Sequence, residues 1–355
     1  MCIRDSLLAS AARWMDFRTQ VKDLFGTRIE LRLGDPSDSE LDRKVAVNVP
    51  KERPGRGLVV SKHHVLTALP RIDGDDSPAT LGAGIEHLVQ VVSQSWRGAP
   101  GPKLRLLPEQ VTLDQVRAAS PADTREILLG IDEAALAPVG IDIREESHLY
   151  AFGDGGSGKS GLLRSVAAEV RRTHTPARAQ IFAVDFRRSL LGEIPDEYLA
   201  GYLTTQDQAT TELSDLAAYL RTRLPGPDVT PDQLRSRSWW TGAEVFVLVD
   251  DYDLVATTTG NPVAALVPLL AQAGDVGLHL ILTRRTGGAA RAMYEPVLQA
   301  LRDLAVPGLV LSGSPDEGAL IGGAKPVASV PGRGQLVTRD EGRRVVQLAW
   351  SPATV

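Results

Sequence analysis

A glycine-rich loop between a predicted strand and a predicted helix constrains this chain most. Residues 153–160 read Gly-Asp-Gly-Gly-Ser-Gly-Lys-Ser and fit the pattern G-x-x-x-x-G-K-[ST] at every fixed position. The apolar run of residues 148–152 predicts a short strand before the loop, and residues 161–172 carry apolar side chains at helical spacing after it. Such a loop points backbone N–H groups and a helix N-terminus at phosphate oxygens. The sequence therefore predicts a nucleotide phosphate-binding loop.

The expected roles within the loop follow from side-chain and backbone chemistry. The ammonium group of Lys159 is expected to reach the β- and γ-phosphates of ATP, and the Ser160 hydroxyl to ligate Mg²⁺. A glycine-rich turn that binds nothing is the alternative, which the flanking strand and helix disfavour. The residues expected to surround the nucleotide are Gly153, Asp154, Gly155, Gly156, Ser157, Gly158, Lys159, Ser160 and Gly161.

A second motif supplies two carboxylates. Residues 244–251 read Glu-Val-Phe-Val-Leu-Val-Asp-Asp, a buried strand that ends in acidic residues. Asp250 is expected to hold Mg²⁺ opposite Ser160, directly or through water, and Asp251 to act as the general base that activates the attacking water. Most ATPases of this type place glutamate at the second position, so the shorter Asp251 predicts slow or partner-dependent hydrolysis. The alternative is that both carboxylates merely cap a strand before a turn.

The next predicted strand, residues 278–282, also ends in polar side chains. Thr283 lies where a sensor of the γ-phosphate is expected, and Arg284 or Arg285 is a candidate to report on that phosphate or to stabilise transferred charge. An arginine on a solvated loop is an equally good explanation of either residue. The pair at 239–240, Trp-Trp, is favoured as a packing element over a partner-binding patch.

Strands and helices alternate from residue 122 onward, which predicts an α/β fold with a mostly parallel sheet covered by helices on both faces. Ligands of such sheets bind at the carboxyl ends of the strands, where the glycine-rich loop falls. Strands are predicted at 104–107, 128–130, 139–143, 149–152, 181–184, 201–204, 245–249, 278–282, 309–311, 335–338 and 345–350, and helices at 81–96, 161–173, 207–223, 262–273, 289–304 and 315–321.

An internal similarity predicts a duplicated domain. Residues 11–15, Ala-Ala-Arg-Trp-Met, recur as Ala-Ala-Arg-Ala-Met at 289–293, and Pro-Gly-Arg-Gly at 54–57 recurs at 331–334. We therefore expect residues 1–70 to hold the C-terminal part of a preceding domain of the same kind, without its phosphate loop. A polar segment at 71–77 is the expected linker, and residues 71–355 are the expected second, complete domain. The similarity between the two copies ends before about residue 10, so the sequence leaves open whether residues 1–9 belong to the fold.

Composition narrows the class of protein. The formal net charge of -5 argues against a general nucleic-acid-binding surface, although a local basic groove stays compatible with it. A single cysteine, Cys2, excludes intrachain disulfides and fits a reducing compartment. No apolar run approaches the roughly 20 residues that span a bilayer, and the first residues do not have the pattern of a signal peptide.

Together these motifs resemble the last ATPase domain of the EccC family, the FtsK/SpoIIIE-type ATPases of type VII (ESX) secretion. The matching segments are residues 153–160, 249–254, 284–291, 312–317 and 331–334, and residues 24–33 resemble the end of the preceding ATPase domain of that family. The resemblance implies tandem RecA-like domains that use ATP and Mg²⁺ to drive protein export. It also implies hexamers at the cytoplasmic side of the cell membrane, anchored by an upstream segment and working with other secretion subunits. Their substrates are small helical-hairpin WXG-type proteins, recognised through a C-terminal signal.

Two other functions compete with a secretion ATPase. An FtsK-like DNA translocase needs basic loops facing a pore and usually a winged-helix DNA reader, for which the sequence offers no candidate. A nucleotide-bound domain that recognises a peptide signal without hydrolysing ATP is the other alternative, and the shorter Asp251 is compatible with it. The rate of ATP hydrolysis distinguishes this alternative from the secretion ATPase.

Overall fold

The structure is a computed structural model that describes residues 9–51, 55–99 and 105–352. The chain forms two compact units, Met1–Lys103 and Leu104–Val355. The predicted boundary at residues 70 and 71 therefore falls inside the first unit, and the predicted helix at 81–96 belongs to that unit. Cys2 lies outside the described residues.

The first unit contains a small antiparallel sheet whose strands lie in the order β1-β2-β3. Its short core is formed by Ala46, Val49 and Leu58. Single 3-10 turns lie at Trp14–Asp16, Pro36–Asp38 and Pro78–Thr80. The strands are β1 (Ile29–Leu31), β2 (Arg56–Val59) and β3 (His64–Leu66), and the helices are α1 (Thr19–Lys22), α2 (Arg43–Ala46) and α3 (Leu81–Ser95).

The predicted linker at 71–77 forms a turn that is held by hydrogen bonds and ion pairs. The Arg71 side chain is 4% exposed and pairs with Asp73 and Asp75 at 2.6 and 3.0 Å. It also donates to the carbonyl oxygen of Ser77 at 3.1 Å. A single guanidinium with five N–H donors can hold such a turn together. This network places the segment in the first unit.

The second unit is built on an eleven-stranded sheet. Its strands are β4 (Val111–Thr112), β5 (Ile127–Asp132), β6 (Pro138–Ile141), β7 (His148–Phe152), β8 (Ala179–Val184), β9 (Leu199–Leu203), β10 (Glu244–Val249), β11 (Leu278–Arg284), β12 (Gly308–Leu311), β13 (Arg333–Thr338) and β14 (Gly342–Trp350). Its α-helices are α4 (Leu113–Ala119), α5 (Lys159–Thr173), α6 (Gln206–Arg221), α7 (Pro231–Ser236), α8 (Tyr252–Val255), α9 (Val267–Leu270), α10 (Ala273–Val276), α11 (Ala289–Ala292) and α12 (Pro296–Asp303), and 3-10 helices lie at Pro262–Leu266 and Pro315–Glu317.

The strands of this sheet lie in the order β6-β5-β14-β13-β12-β7-β11-β10-β8-β9, with β4 paired to β14. Neighbours from β12 to β9 are parallel, whereas those from β6 to β12 are antiparallel. Alternate residues of β10 face opposite cores: Val247 belongs to the core that includes residues of α6, α9 and α12, and Phe246 and Leu248 belong to the core that includes residues of α5. The predicted α/β fold with helices on both faces is confirmed, and its antiparallel half is formed by the late hairpin β13–β14 together with β5 and β6.

The sequence repeat has the same local structure in both copies. β1 pairs with β2, and β12 pairs with β13, each antiparallel. Leu31 lies opposite Gly57 in the first pair, and Leu311 lies opposite Gly334 in the second. A 3-10 turn separates the strands in each copy. This equivalence supports a duplicated domain, while the assignment of the first unit to a preceding ATPase domain stays a prediction.

Three predicted helices are shorter or broken, and a backbone rule explains each. The helix predicted at 262–273 is a 3-10 helix followed by α9 and α10: Pro268, which lacks an N–H group, lies at the change from the 3-10 helix to α9, and the second break lies at Gln272, whose backbone is not helical. The helix predicted at 289–304 is interrupted before Pro296, since Glu295 takes an extended backbone. The helix predicted at 315–321 is only one 3-10 turn, which ends at Gly318 with φ of 74°.

A strand predicted at 104–107 is wrong for residues 105–107, which form no strand, and Leu104 lies outside the described residues. The short β4 follows a few residues later. Among the described helices, none is both long and apolar enough to cross a membrane.

A buried histidine makes the fold sensitive to acid. His148 in β7 is 4% exposed; its Nδ1 accepts from the Leu280 N–H at 3.0 Å, and its Nε2 lies 3.2 Å from the Leu270 carbonyl oxygen. Burial lowers the pKa of His148 from 6.5 to about 4. As the pH falls, His148 takes up its proton in the unfolded chain before it does so in the folded chain. Its contribution to the free energy of unfolding is therefore fully present above about pH 6.5 and is lost as the pH falls toward 4.

We expect this single group to lower the free energy of unfolding by about 3 kcal/mol between those two pH values. Urea denaturation at several pH values measures the effect. His148→Gln, which cannot titrate, should show a flatter acid decline than the native chain. His87→Gln, which changes an exposed histidine, is the matched control. An equal acid slope in His148→Gln and the native chain would contradict the prediction.

Candidate nucleotide-binding site

The glycine-rich loop connects β7 to α5 and requires glycine at two left-handed positions. Gly156 and Gly158 have φ of 76° and 108°. A Cβ atom on Gly158 would also lie 3.1 Å from the backbone nitrogen of Gly332. Both backbone conformation and space therefore favour glycine at position 158, and the loop can curl tightly before α5 begins at Lys159.

The ends of three other strands hold the loop in place. The Gly153 N–H donates to the Arg284 carbonyl at 3.0 Å, and the Asp154 N–H donates to the Ser312 carbonyl at 2.8 Å. From the hairpin side, the Gly332 N–H donates to the Ser157 carbonyl at 2.9 Å. The repeated Pro-Gly-Arg-Gly segment thus supports the loop through its backbone, a role that sequence reasoning missed.

Lys159 lies under the loop with its ammonium group enclosed. The side chain is 7% exposed, and its Nζ donates to the carbonyl oxygens of Gly153 and Asp154 at 2.9 and 3.1 Å. The same Nζ lies 3.4 Å from Asp251 Oδ1. A cation at the centre of a curled loop is the arrangement that an anionic phosphate requires.

Ser160 and Asp250 come together across the sheet, although they are far apart in the sequence. The Ser160 hydroxyl donates to Asp250 Oδ2 at 2.7 Å. The other oxygen, Asp250 Oδ1, accepts from the Thr283 hydroxyl at 2.8 Å. Adjacent hydroxyl and carboxylate oxygens are suitable ligands for Mg²⁺. The structure therefore brings the two predicted metal ligands into contact.

Asp251 occupies a constrained position next to Lys159. Its backbone is left-handed, with φ of 47°, and its N–H donates to the Thr283 hydroxyl oxygen at 3.1 Å. Its Oδ2 lies 2.8 Å from Arg187 Nε, whereas the buried Oδ1 has no hydrogen bond. Burial raises the pKa of Asp251, and Lys159 opposes that shift. A raised pKa is a property expected of a carboxylate that accepts a proton.

The candidate arginines at the end of β11, Arg284 and Arg285, contact residues that are close to them in the sequence or in the neighbouring loop. Arg284 is 8% exposed, and its guanidinium donates to the carbonyl oxygens of Arg285 and Gly287 at 2.8 and 3.1 Å. Arg285 Nε lies 3.8 Å from Asp253 Oδ2. Among the described residues, neither guanidinium forms a hydrogen bond or an ion pair with residues 153–160.

The tryptophan pair serves packing. The Trp240 ring lies 4.1 Å from the guanidinium carbon of Arg223. The indole N–H of Trp239 donates to the Arg223 carbonyl at 2.6 Å, and that of Trp240 donates to the Asp275 carbonyl at 2.7 Å. Both half-buried tryptophans therefore make the packing contacts that the sequence analysis favoured.

The loop after β8 contributes residues that the sequence analysis did not select. Asp185 is fully buried and accepts from the Leu190 N–H and the Tyr202 hydroxyl, both at 2.7 Å. The Ser189 hydroxyl lies within hydrogen-bonding distance of both Asp185 and Asp250. A carboxylate directly after an apolar strand was the available signal, because Asp185 follows β8 as Asp250 follows β10.

The site suits a nucleoside triphosphate with Mg²⁺. Two buried polar atoms, Ser157 Oγ and Asp251 Oδ1, have no hydrogen-bond partner although they adjoin the loop and Lys159. Among the described residues there is no cluster of three or more His, Cys, Asp or Glu side chains that could hold a metal ion. Mg²⁺ commonly takes one or two protein ligands together with phosphate oxygens and water, and Ser160 and Asp250 match that requirement.

Comparison with known proteins identifies close relatives. No family model matches the chain. It is 48% identical over 344 residues to the ESX secretion system protein EccC of Thermomonospora curvata, which covers 97% of this chain and 26% of the relative. A structure of the cytoplasmic domain of the type VII secretion ATPase EccC from that organism matches with a TM-score of 0.77 and 47% identity, over 96% of this chain and 40% of that one.

A second structure contains ATPases 2 and 3 of Thermomonospora curvata EccC in complex with a signal sequence peptide. It matches with a TM-score of 0.79 and 47% identity, covering 96% of this chain and 61% of that chain. The mostly parallel sheet described above is therefore the RecA-like fold of these ATPases. The chain spans only about a quarter of the length of the curated relatives with the highest identity.

Proposed function

Because this chain belongs to the EccC family of type VII (ESX) secretion ATPases, we propose that its second unit binds ATP with Mg²⁺ and hydrolyses it slowly to drive protein export. One observation carries the proposal: the Ser160 hydroxyl lies 2.7 Å from Asp250, directly after a loop whose carbonyls hold Lys159. Those three side chains are the minimum set that a phosphate and its metal ion require.

Each site residue then has a specific task. Lys159 exchanges its contacts with the loop carbonyls for contacts with the β- and γ-phosphates, and the loop N–H groups bind the remaining phosphate oxygens. Ser160 and Asp250 hold Mg²⁺, which neutralises charge on the phosphates when it is bound. Thr283 fixes the orientation of Asp250 and contacts the Asp251 backbone, so it links both carboxylates. Asp251 accepts the proton of the attacking water.

Slow turnover follows from the side chain of Asp251. Its carboxylate is short, lies 2.8 Å from Arg187 Nε and is also close to Lys159. Burial still leaves the pKa of Asp251 raised despite these cations, so we expect slow hydrolysis because the short side chain reaches the attacking water poorly, not because the carboxylate is a weak base. Nucleotide binding does not depend on that proton transfer, so we expect binding to be strong while hydrolysis is weak.

The export substrate is proposed from the family. The relative from Thermomonospora curvata was solved with a signal sequence peptide. We propose that this chain likewise recognises the C-terminal signal of small helical-hairpin WXG-type proteins, within a homo-hexamer that works with other secretion subunits. The site of action is the cytoplasmic side of the cell membrane, since the matching region of that relative is described as cytoplasmic.

The first unit is proposed to be the end of a preceding ATPase domain. Its strands repeat the order and register of β12 and β13, and the matching structure carries two consecutive ATPases. The boundary predicted at residues 70 and 71 would then mark where one duplicated ATPase domain ends and the next begins. The compact units, Met1–Lys103 and Leu104–Val355, instead reflect which residues pack together.

The two competing functions have less support. A DNA translocase is disfavoured by the net charge of -5 and by the family of the relatives. A recognition domain that binds ATP without hydrolysing it would require Asp251 to have no catalytic effect. The rate of ATP hydrolysis in variants of Asp251 separates this second function from the proposed one.

Replacing Asp251 with glutamate is expected to raise the rate of ATP hydrolysis about tenfold, because the longer side chain moves the carboxylate away from Arg187 and toward the nucleotide. Nucleotide affinity should stay within about twofold of the native chain. A phosphate-release assay of the assembled protein gives the rate, and titration with a fluorescent ATP analogue gives the affinity. Asp228→Glu, in an exposed loop, is the matched control. Background hydrolysis in both proteins with tight binding would favour the non-hydrolysing function.

A further inference from the structure

Arg187 is a basic residue at the nucleotide site that the predicted catalytic set leaves out. It lies in the loop after β8, and its Nε is 2.8 Å from Asp251 Oδ2. On its other side, Asp251 approaches Lys159. Lys159 and Arg187 are therefore two cations on one carboxylate, at the place where the γ-phosphate is proposed to lie.

The two predicted candidates, Arg284 and Arg285, make other contacts, although the buried Nε of Arg284 has no hydrogen-bond partner among the described residues. Arg284 donates to two backbone carbonyls of its own turn, and Arg285 faces Asp253. Arg187 differs from both because its charge is directed at Asp251, whose other carboxylate oxygen lies beside Lys159. A guanidinium carries five donors in a planar fork, so a single Nε contact leaves the fork able to take a phosphate in bidentate geometry.

The Arg187 side chain can move without unfolding its loop. The backbone N–H of Arg187 donates to Asp185 Oδ1 at 3.2 Å, and the N–H of Leu190 donates to Asp185 Oδ2 at 2.7 Å. Ser189 reaches Asp250 from the same loop. Since these anchors involve the backbone and other side chains, the loop keeps its position when the Arg187 side chain leaves Asp251 or is removed.

We propose that Arg187 is a γ-phosphate contact supplied by the same chain, which rests on Asp251 until ATP is bound and then transfers to the terminal phosphate. This inference depends on the proposed ATPase function and assigns the phosphate-responsive role to Arg187 rather than to Arg284 or Arg285. A triphosphate carries several charges against the single charge of Asp251, and arginine binds phosphate in bidentate geometry, so ATP competes effectively for the guanidinium. Its transfer also frees Asp251 to accept a proton from water.

ADP lacks the γ-phosphate, so discrimination between ATP and ADP tests the inference. In the full chain, Arg187→Ala should weaken binding of a non-hydrolysable ATP analogue about tenfold and leave ADP affinity within about twofold, as measured by calorimetry. The hydrolysis rate should fall at least about tenfold. Arg187→Lys, which keeps the charge but loses the fork, should recover part of both losses. Arg178 is exposed and directly precedes β8, at the end of that strand opposite to Arg187, so Arg178→Ala should change neither quantity.

Two results would overturn the inference while leaving the proposed function intact. Equal weakening of ADP and of the ATP analogue would mean that Arg187 only supports local structure. Faster hydrolysis in Arg187→Ala with unchanged discrimination would mean that the residue is only a brake on Asp251. By contrast, a native chain that binds neither nucleotide would overturn the proposed function and this inference together.

Discussion

Replacing Lys159 with alanine is expected to weaken ATP binding about a hundredfold and to lower the rate of hydrolysis about a thousandfold, since each charge-assisted hydrogen bond contributes up to about 3 kcal/mol and the ammonium group is proposed to contact both the β- and γ-phosphates. The ammonium group is enclosed beneath the loop, within 3.1 Å of the Gly153 and Asp154 carbonyls. Alanine leaves the phosphates without this cation and leaves Asp251 with Arg187 as its remaining close cation. Titration with a fluorescent ATP analogue measures the affinity.

A matched variant separates loss of the site from general loss of positive charge. Lys325→Ala removes an exposed lysine of the same unit and should leave both quantities unchanged. Thermal unfolding of Lys159→Ala checks that the second unit still folds, because the two loop carbonyls lose their donor. Native affinity in a folded Lys159→Ala protein would refute the assignment of the phosphate site.

In the Asp250→Asn variant we expect ATP binding to become independent of Mg²⁺, and we expect the rate of hydrolysis to fall about a thousandfold. The amide keeps the shape of the side chain and can still accept from Ser160, but it has no negative charge to bind the metal ion. Binding of ATP without the metal should persist, because no phosphate contact is removed. Parallel titrations with excess Mg²⁺ and with EDTA measure the difference.

In the native chain, Mg²⁺ should strengthen binding of the ATP analogue, whereas the two titrations of Asp250→Asn should coincide. Asp228→Asn makes the same chemical change in an exposed loop and should retain the native magnesium dependence. If Asp250→Asn still responded to Mg²⁺ like the native chain, Ser160 and Asp250 would not form the metal site.

The sequence predicted the contact between Ser160 and Asp250 because parallel strands end at one edge of the sheet. Both residues follow strands of the parallel half, so their positions depend on sheet geometry more than on loop details. The breaks at Pro268 and Pro296 were equally predictable, since proline lacks an N–H group and restricts the residue before it. Apolar spacing alone had suggested continuous helices there.

Other features could not be inferred from spacing. The approach of Arg187 to Asp251 depends on how the loop after β8 folds over the end of β10, and no short motif encodes that path. The strands at 335–338 and 345–350 were predicted, but the contact between Gly332 and the phosphate loop depends on the antiparallel pairing of β13 with β12, which strand spacing does not indicate. Loop conformation and long-range pairing therefore limit what local pattern can reveal.

The hairpin that supports Ser157 has a kinetic consequence for how the protein matures. Gly332 and Ser157 are far apart in the sequence, yet the Gly332 N–H donates a hydrogen bond to the Ser157 carbonyl within the phosphate loop. Pairings between distant segments form late, because closing a long loop costs entropy before the contact can stabilise it. During synthesis, the strands that precede β13 would thus form before the phosphate loop has all of its supporting hydrogen bonds. We expect the chain to bind ATP only after β13 has paired with β12.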